Sequence, residues 1–291
     1  MAVLAATWGA SYLFIKVGLR DFTAAQVVCI RTLLAAMVLI PVARRAGAFE
    51  QLRGSGRSLV LLSVVQVVVP FLLISYAEHD IASSLAGILI ASAPIYTALL
   101  AIRFDDAERS SGWALVGVVA GIVGVALLFG VDLSGSWKTL LAGVGILFAG
   151  FCYAAGGMLL KHRLPGAPPA GVAACTMSIA GLITLPFALI RLPSSAGLDS
   201  VSSLLALGVL GTGIAFLIFY TLILEEGPAR ASLVAYIAPG FAVIYGASLL
   251  DESITAGTIG GLALILGGSW MGVEKRPPWR RKEPVPAAVV R

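Results

Sequence analysis

Long apolar runs alternate with short polar turns along this chain, and the runs have nearly one length. They fall at about 3–19, 24–43, 58–77, 82–102, 113–131, 139–160, 170–190, 201–223, 231–250 and 255–273. Crossing a hydrocarbon core of roughly 30 Å takes about 20 helical residues. Lipid offers the backbone no hydrogen-bond partners, and the runs lack the two-residue alternation of barrel strands, so each predicts a spanning helix. Ten such helices make an all-α integral membrane protein.

The pattern also occurs twice. The stretch Phe71 to Pro94, FLLISYAEHDIASSLAGILIASAP, returns 145 residues later as Phe216 to Pro239, FLIFYTLILEEGPARASLVAYIAP, with no gap. The same offset pairs Trp8 with Tyr153, Lys16 with Lys161 and Pro41 with Pro186, and an offset of 143 pairs Gly117 with Gly260 and Gly124 with Gly267. Such self-similarity marks a duplicated unit. The expected organisation is a first repeat over 1–131, a second over 132–273 and a basic, Pro-rich tail over 274–291 that is expected to be disordered. Five spans per repeat make the second copy enter the membrane from the opposite side. Inverted copies of this kind build secondary transporters, with substrate held between them near the midplane.

Composition fixes the solvent. Hydrophobic residues make up 59% and charged residues 12% of the 291-residue chain, against roughly 45–50% and about 25% in soluble domains. The surplus belongs against lipid. A net charge of +5 does not point to nucleic acid, because the basic residues sit in turns and in the tail rather than along one helical face. Alternate turns carry fifteen Lys and Arg on one side and three (Arg20, Lys138, Arg191) on the other, which places both termini in the cytoplasm. Cys29, Cys152 and Cys175 lie inside apolar runs and read as small core residues. No phosphate-binding loop, HExxH or GxSxG occurs, so no cofactor, metal or enzymatic chemistry is expected.

The candidate chemistry lies on the first, third, fourth, sixth, eighth and ninth runs. Trp8, Ser11 and Tyr12 share a helical face, as do Ser92 with Tyr96 and Ser232 with Tyr236; Gln66, Tyr76, Tyr153, Thr212 and Tyr220 add polar groups. Rings carrying OH and NH groups suit a ligand with an apolar body and a polar head. Tyr76 and Tyr220 read equally as interfacial anchors. Pro70, Pro94 and Pro239, the last followed by Gly240, are expected to kink their helices. The charged turns around Glu78 and Glu226 are expected to gate opposite faces, and His79 reads either as a proton sensor or as an ordinary surface residue. Arg31, about eight residues into its span, either neutralises a substrate carboxylate or braces Gln66 or a backbone carbonyl. Lys16 is expected to snorkel to the surface. Glycines at three- and four-residue spacing in the fifth and tenth runs predict close packing of those spans, in a monomer or across a homodimer.

These residues carry a family likeness. Ten spans in two copies, Trp8-Gly9-Ala10-Ser11, Arg31, the pairs Ala93-Pro94 and Ala238-Pro239, and Asp251-Glu252 before a glycine-rich last run resemble the drug/metabolite transporter superfamily over residues 1–273. Within it the chain resembles the EamA family, and most of all its YddG-type amino-acid exporters. The resemblance implies a bacterial inner-membrane carrier that exports amino acids, aromatic and other neutral ones, or related small metabolites by alternating access. A multidrug- or purine-type exporter of the same superfamily is the alternative. Where that family often has Gly-Glu before its fifth and tenth helices, this chain has Asp105-Asp106-Ala107-Glu108 and Leu250-Asp251-Glu252. An intramembrane lipid-acting enzyme would need clustered acid, base or nucleophile within the spans, and a structural subunit would have no sealed cavity. The runs hold almost no carboxylates, so a uniporter is the simplest expectation for energy coupling.

Overall fold

The computed structural model describes residues 2–104, 116, 117, 119–121, 123, 124, 127, 136–193, 195–232 and 234–273. Most of the expected fifth span, the whole tail 274–291 and the side chain of Tyr236 lie outside the described residues. Among the described residues every regular element is a helix: α1 (Ala2–Gly18), α2 (Ala24–Arg45), α3 (Gly56–Ala77), α4 (Ser83–Ile90), α5 (Ala93–Phe104), α6 (Trp137–Arg163), α7 (Pro169–Ala188), α8 (Leu198–Glu226), α9 (Val234–Leu249) and α10 (Ala256–Val273), with two single helical turns at Ala48–Gln51 and Pro228–Ala231. Six stretches are long and apolar enough to cross a membrane, namely α2, α3, α6, α7, α8 and Ser83–Ala101. Shorter apolar helices are Ala2–Gly18, Ile237–Leu249 and Ala256–Gly268.

Local chemistry sets the ends and irregularities. Thr23 and Gln26 form a reciprocal capping box at the start of α2. The fourth run is two helices rather than one. Pro94 lacks the N–H that would bond the Ile90 carbonyl, and the chain tightens there into three-residue turns, with Ser92 N on Leu89 O and Ile95 N on Ser92 O. In α3 a widened π turn over Val64–Val68 precedes Pro70, and Val69 N bonds Val64 O, five residues back. A second π segment, Leu207–Ile214, occupies the equivalent place in α8, where Pro70 is matched by Ala215. The widening therefore belongs to the architecture and not to proline. Pro239 sits inside α9, whose helix runs through it without a break.

The pairings of helices are similar in the first and second halves of the chain. Helix α2 packs on α7; α1 packs on α9 and α8, while α6 packs on α4, α5 and α3. At the α1–α9 crossing a Cβ on Gly9 would lie 2.5 Å from Phe241 Cβ and 2.8 Å from the Ala238 carbonyl oxygen. Only a bare backbone fits. At Gly268 of α10 a Cβ would collide with the backbone of Gly117 and Gly121, so the fifth and tenth runs touch within one chain. Large apolar side chains such as Met37, Leu182, Phe187, Ile190, Ile244 and Ile259 point outward, while Arg31, Gln66, Thr176 and Thr212 are buried. That inside-out distribution suits lipid and leaves a polar thread through the centre.

Candidate functional site

A cavity of about 80 Å³ lies among α1, α2, α3, α4, α5, α6, α8 and α9. It has room for a few water molecules, each needing roughly 10–15 Å³. Its wall is aromatic. Trp8 meets Phe219 edge to face with centroids 4.8 Å apart and Phe216 at 5.9 Å, and Phe71 meets Phe216 at 5.6 Å. Ser11, Tyr12, Thr97, Tyr153 and Ser232 supply the hydroxyls, and Arg31 the single formal charge among the lining residues.

Arg31 is held from two sides. Its guanidinium carbon stands 3.7 Å from the centroid of Phe71, and its Nε donates to Thr212 Oγ1 at 2.9 Å. The Thr212 hydroxyl donates in turn to Leu207 O at 2.8 Å, across the π segment of α8, so its oxygen is fixed as an acceptor. The brace expected at Gln66 is thus Thr212 instead. Gln66 faces Gly156, and neither atom of its amide has a partner among the described residues. The terminal amino groups of Arg31 likewise have no hydrogen-bond partner among the described residues, although the side chain is only 3% exposed. A buried guanidinium stacked on a ring with two amino groups to spare is prepared for an anion.

Of the residues singled out from sequence, Trp8, Ser11, Tyr12, Arg31, Tyr153, Ser232 and Pro239 line the cavity. Thr212 stands behind it as the brace for Arg31, and Tyr220, fully buried, packs on Phe216 with centroids 5.5 Å apart. Tyr76 is 58% exposed and His79 is exposed in the turn after α3. Ser92 donates to Leu89 O, Tyr96 packs edge-on to Phe151, and Pro70, Pro94 and Gly240 do not reach the lining. Glu226 is exposed and pairs with Arg230 one turn on. Sequence reasoning missed Phe71, Phe216 and Phe219, which carry no polar handle. Phe71 and Phe216 are nevertheless the matched first residues of the duplicated stretch.

Polar bonds between elements gather at the end that carries Arg20 and Arg191. Lys16 does not snorkel: its Nζ donates to the carbonyls of Glu78 and of Ile81, the latter at 2.9 Å. Glu252 accepts from Ser83 N at 2.6 Å and Ser84 N at 2.9 Å, clamping the start of α4 to the segment before α10. Burial opposes ionisation of Glu252, but the hydrogen bonds from Ser84 and Ser83 prevail and hold its pKa below the ordinary carboxylate value. Gln26 donates to Ala188 O at 3.2 Å and to Arg191 O, and Asp21 accepts from Gly197 N at 2.9 Å. Glu78, one turn beyond the lining residue Ile74, is fully buried.

Two segments, residues 1–130 and 140–273, match the model of the EamA-like transporter family. The chain is 29% identical over 261 residues to the uncharacterized inner membrane transporter YedA of Escherichia coli (strain K12), covering 85% of this chain and 81% of that one. It is 26% identical over 278 residues to a protein of the same strain described as a probable amino-acid metabolite efflux pump, covering 91% of each. A crystal structure shares the fold at a TM-score of 0.71 with 16% identity, covering 92% of this chain and 94% of that one.

Proposed function

Because the chain belongs to the EamA-like transporter family, within the drug/metabolite transporter superfamily, we propose that this membrane transporter exports neutral amino acids, aromatic ones included. The observation that carries the reading is Arg31, a buried guanidinium with unused amino groups among the lining residues of an aromatic cavity. The substrate carboxylate lies on those groups, its apolar side chain among Trp8, Phe71, Phe216 and Phe219, and its ammonium against ring faces and the hydroxyls of Ser11 and Tyr153. A relative described as a probable amino-acid metabolite efflux pump supports the same class of cargo.

Ten spans arranged as two inverted five-helix copies are the architecture behind this cycle. The reciprocal helix pairings and the paired π segments support it. The fifteen-to-three distribution of Lys and Arg supports an orientation with both termini cytoplasmic, so the end bearing Arg20 and Arg191 faces the periplasm. The contacts of Lys16 and Glu252 then close the outer face, and export proceeds when they part.

The test is counterflow in proteoliposomes: labelled phenylalanine or leucine should enter vesicles preloaded with the unlabelled amino acid. The matching amines, which lack the carboxylate, should compete poorly. Failure of every neutral amino acid to exchange faster than through protein-free vesicles would overturn the proposal, and movement of purines or cationic drugs instead would select the alternative cargo.

The outer clamp gives a separate expectation. Glu252→Ala removes two charge-assisted hydrogen bonds, each worth about 1.5–3 kcal/mol. The fraction of molecules open at this face should rise about tenfold or more. Spin labels at His79→Cys and Ile254→Cys, in a background without Cys29, Cys152 and Cys175, read that fraction as a longer inter-label distance. An unchanged distance distribution would remove Glu252 from the gate.

A further inference from the structure

Glu78 has no role in the cavity, yet it is the most unusual charge-bearing group in the molecule. Its side chain is 0% exposed, and neither carboxyl oxygen has a hydrogen-bond partner among the described residues. The hydroxyls of Ser75, on the same turn of chain, and of Ser83, at the start of α4, are also buried without partners there. Lys16 of α1 spends its ammonium on the backbone carbonyls of Glu78 and Ile81 rather than on the carboxyl group. The other titratable groups bearing on Glu78 are Glu252 from the segment before α10, Arg31 from α2 and Tyr12 from α1. Of these, Glu252 is committed to Ser83 and Ser84, and Arg31 to Thr212 and Phe71.

An ionised carboxylate buried without a donor is penalised by several kcal/mol, and a neutral acid escapes that penalty. With the outer face closed, Glu78 therefore keeps its proton. Parting of the turn 78–81 from α1 and of Glu252 from α4 would admit water to the same carboxyl group, which then ionises as an ordinary glutamate with pKa about 4.3. Burial accordingly drives the pKa of Glu78 up in the closed state, with Lys16 opposing it in part.

We propose that Glu78 is a proton-binding site of the outer gate, and that closing this face of the transporter takes up one proton from the periplasmic side. The proposal rests on the orientation argued above, and it goes beyond that reading by assigning a second ligand, the proton, to a place outside the substrate chamber. Its consequence is that the empty carrier returns to the closed state more readily when the periplasm is acidic.

The spin-label pair at positions 79 and 254 tests this without any cargo. One proton released on opening makes the open-to-closed ratio rise about tenfold per pH unit, from the pKa of exposed glutamate up to the raised pKa of the closed state. Glu78→Gln mimics the protonated acid and should stay closed with no pH slope. It should also be more thermostable than the wild type at pH 8 and equal to it near pH 4: a raised folded-state pKa stabilises below the unfolded pKa, and that stability is lost as pH rises through the folded value. Glu78→Asp, still an acid, should keep the slope. A flat wild-type ratio between pH 5 and 9, or an undiminished slope in Glu78→Gln, overturns the proposal. If Glu78→Gln does not insert, the wild-type slope and its persistence in Glu78→Asp decide. Counterflow in the same preparation separates this from the cargo: absence of exchange with an intact pH slope defeats the amino-acid reading and leaves the proton site standing.

Discussion

Arg31→Gln is expected to lower amino-acid exchange by about 100-fold while leaving the protein folded. Truncating one partner of a buried, hydrogen-bonded charge pair costs about 2–5 kcal/mol, and about 1.4 kcal/mol corresponds to each factor of ten. The substituted amide retains a donor for Thr212 Oγ1 and a flat face for Phe71, so the brace survives in reduced form. What disappears is the pair of amino groups turned to the chamber. The same reasoning sets the sign of the stability change. A guanidinium buried without a carboxylate is an uncompensated charge, so the empty Arg31→Gln carrier should melt at or above the wild-type temperature. Exchange of labelled phenylalanine, together with quenching of Trp8 on ligand binding, measures both halves. If KM and exchange rate both remain within threefold of the wild type, Arg31 does not hold the substrate.

The second large effect is expected at Gly9. Gly9→Val puts three carbons where a single Cβ already comes within 2.8 Å of the Ala238 carbonyl oxygen on α9. Overpacking of a filled interface costs about 1–3 kcal/mol or more, and here the obstacle is backbone that cannot rotate out of the way. Helices α1 and α9 come from the two segments that match the family model and both line the chamber, so forcing them apart should lower the melting temperature and reduce exchange at least tenfold. Gly240→Ala is the matched comparison. A Cβ at Gly240 meets nothing within 4 Å, so the substitution should be tolerated and should stiffen α9 by up to about 1 kcal/mol. Equal damage at the two positions would show that close approach is not what selects glycine at Gly9.

Much of the architecture is written in the spacing of apolar runs, because the thickness of a bilayer is a fixed ruler and lipid forbids most alternatives. The likeness of Phe71–Pro94 to Phe216–Pro239 can be read from the letters alone, because the two stretches align without a gap. What spacing does not encode is how each helix is rotated about its axis once packed. Arg31 bonds Thr212 rather than Gln66, whose amide lies against Gly156 instead. Lys16 at the end of a span invites the surface, yet its ammonium is taken by the carbonyls of Glu78 and Ile81. The three phenylalanines were passed over for a different reason. In an apolar sequence they carry no contrast, and only their packing distinguishes them from the rings that face lipid: Phe216 and Phe219 on Trp8, and Phe71 on Phe216.

The widened turns at Val64–Val68 and Leu207–Ile214 leave each helix holding one residue in surplus of the regular spiral. The widened coil absorbs that residue, so the stretches on either side keep nearly the phase of an unbroken helix, and excising one residue from either segment would let the ordinary ladder close with little rotation beyond it. What excision would take from α8 is the five-residue reach by which the Thr212 hydroxyl donates to Leu207 O and holds its oxygen toward Arg31.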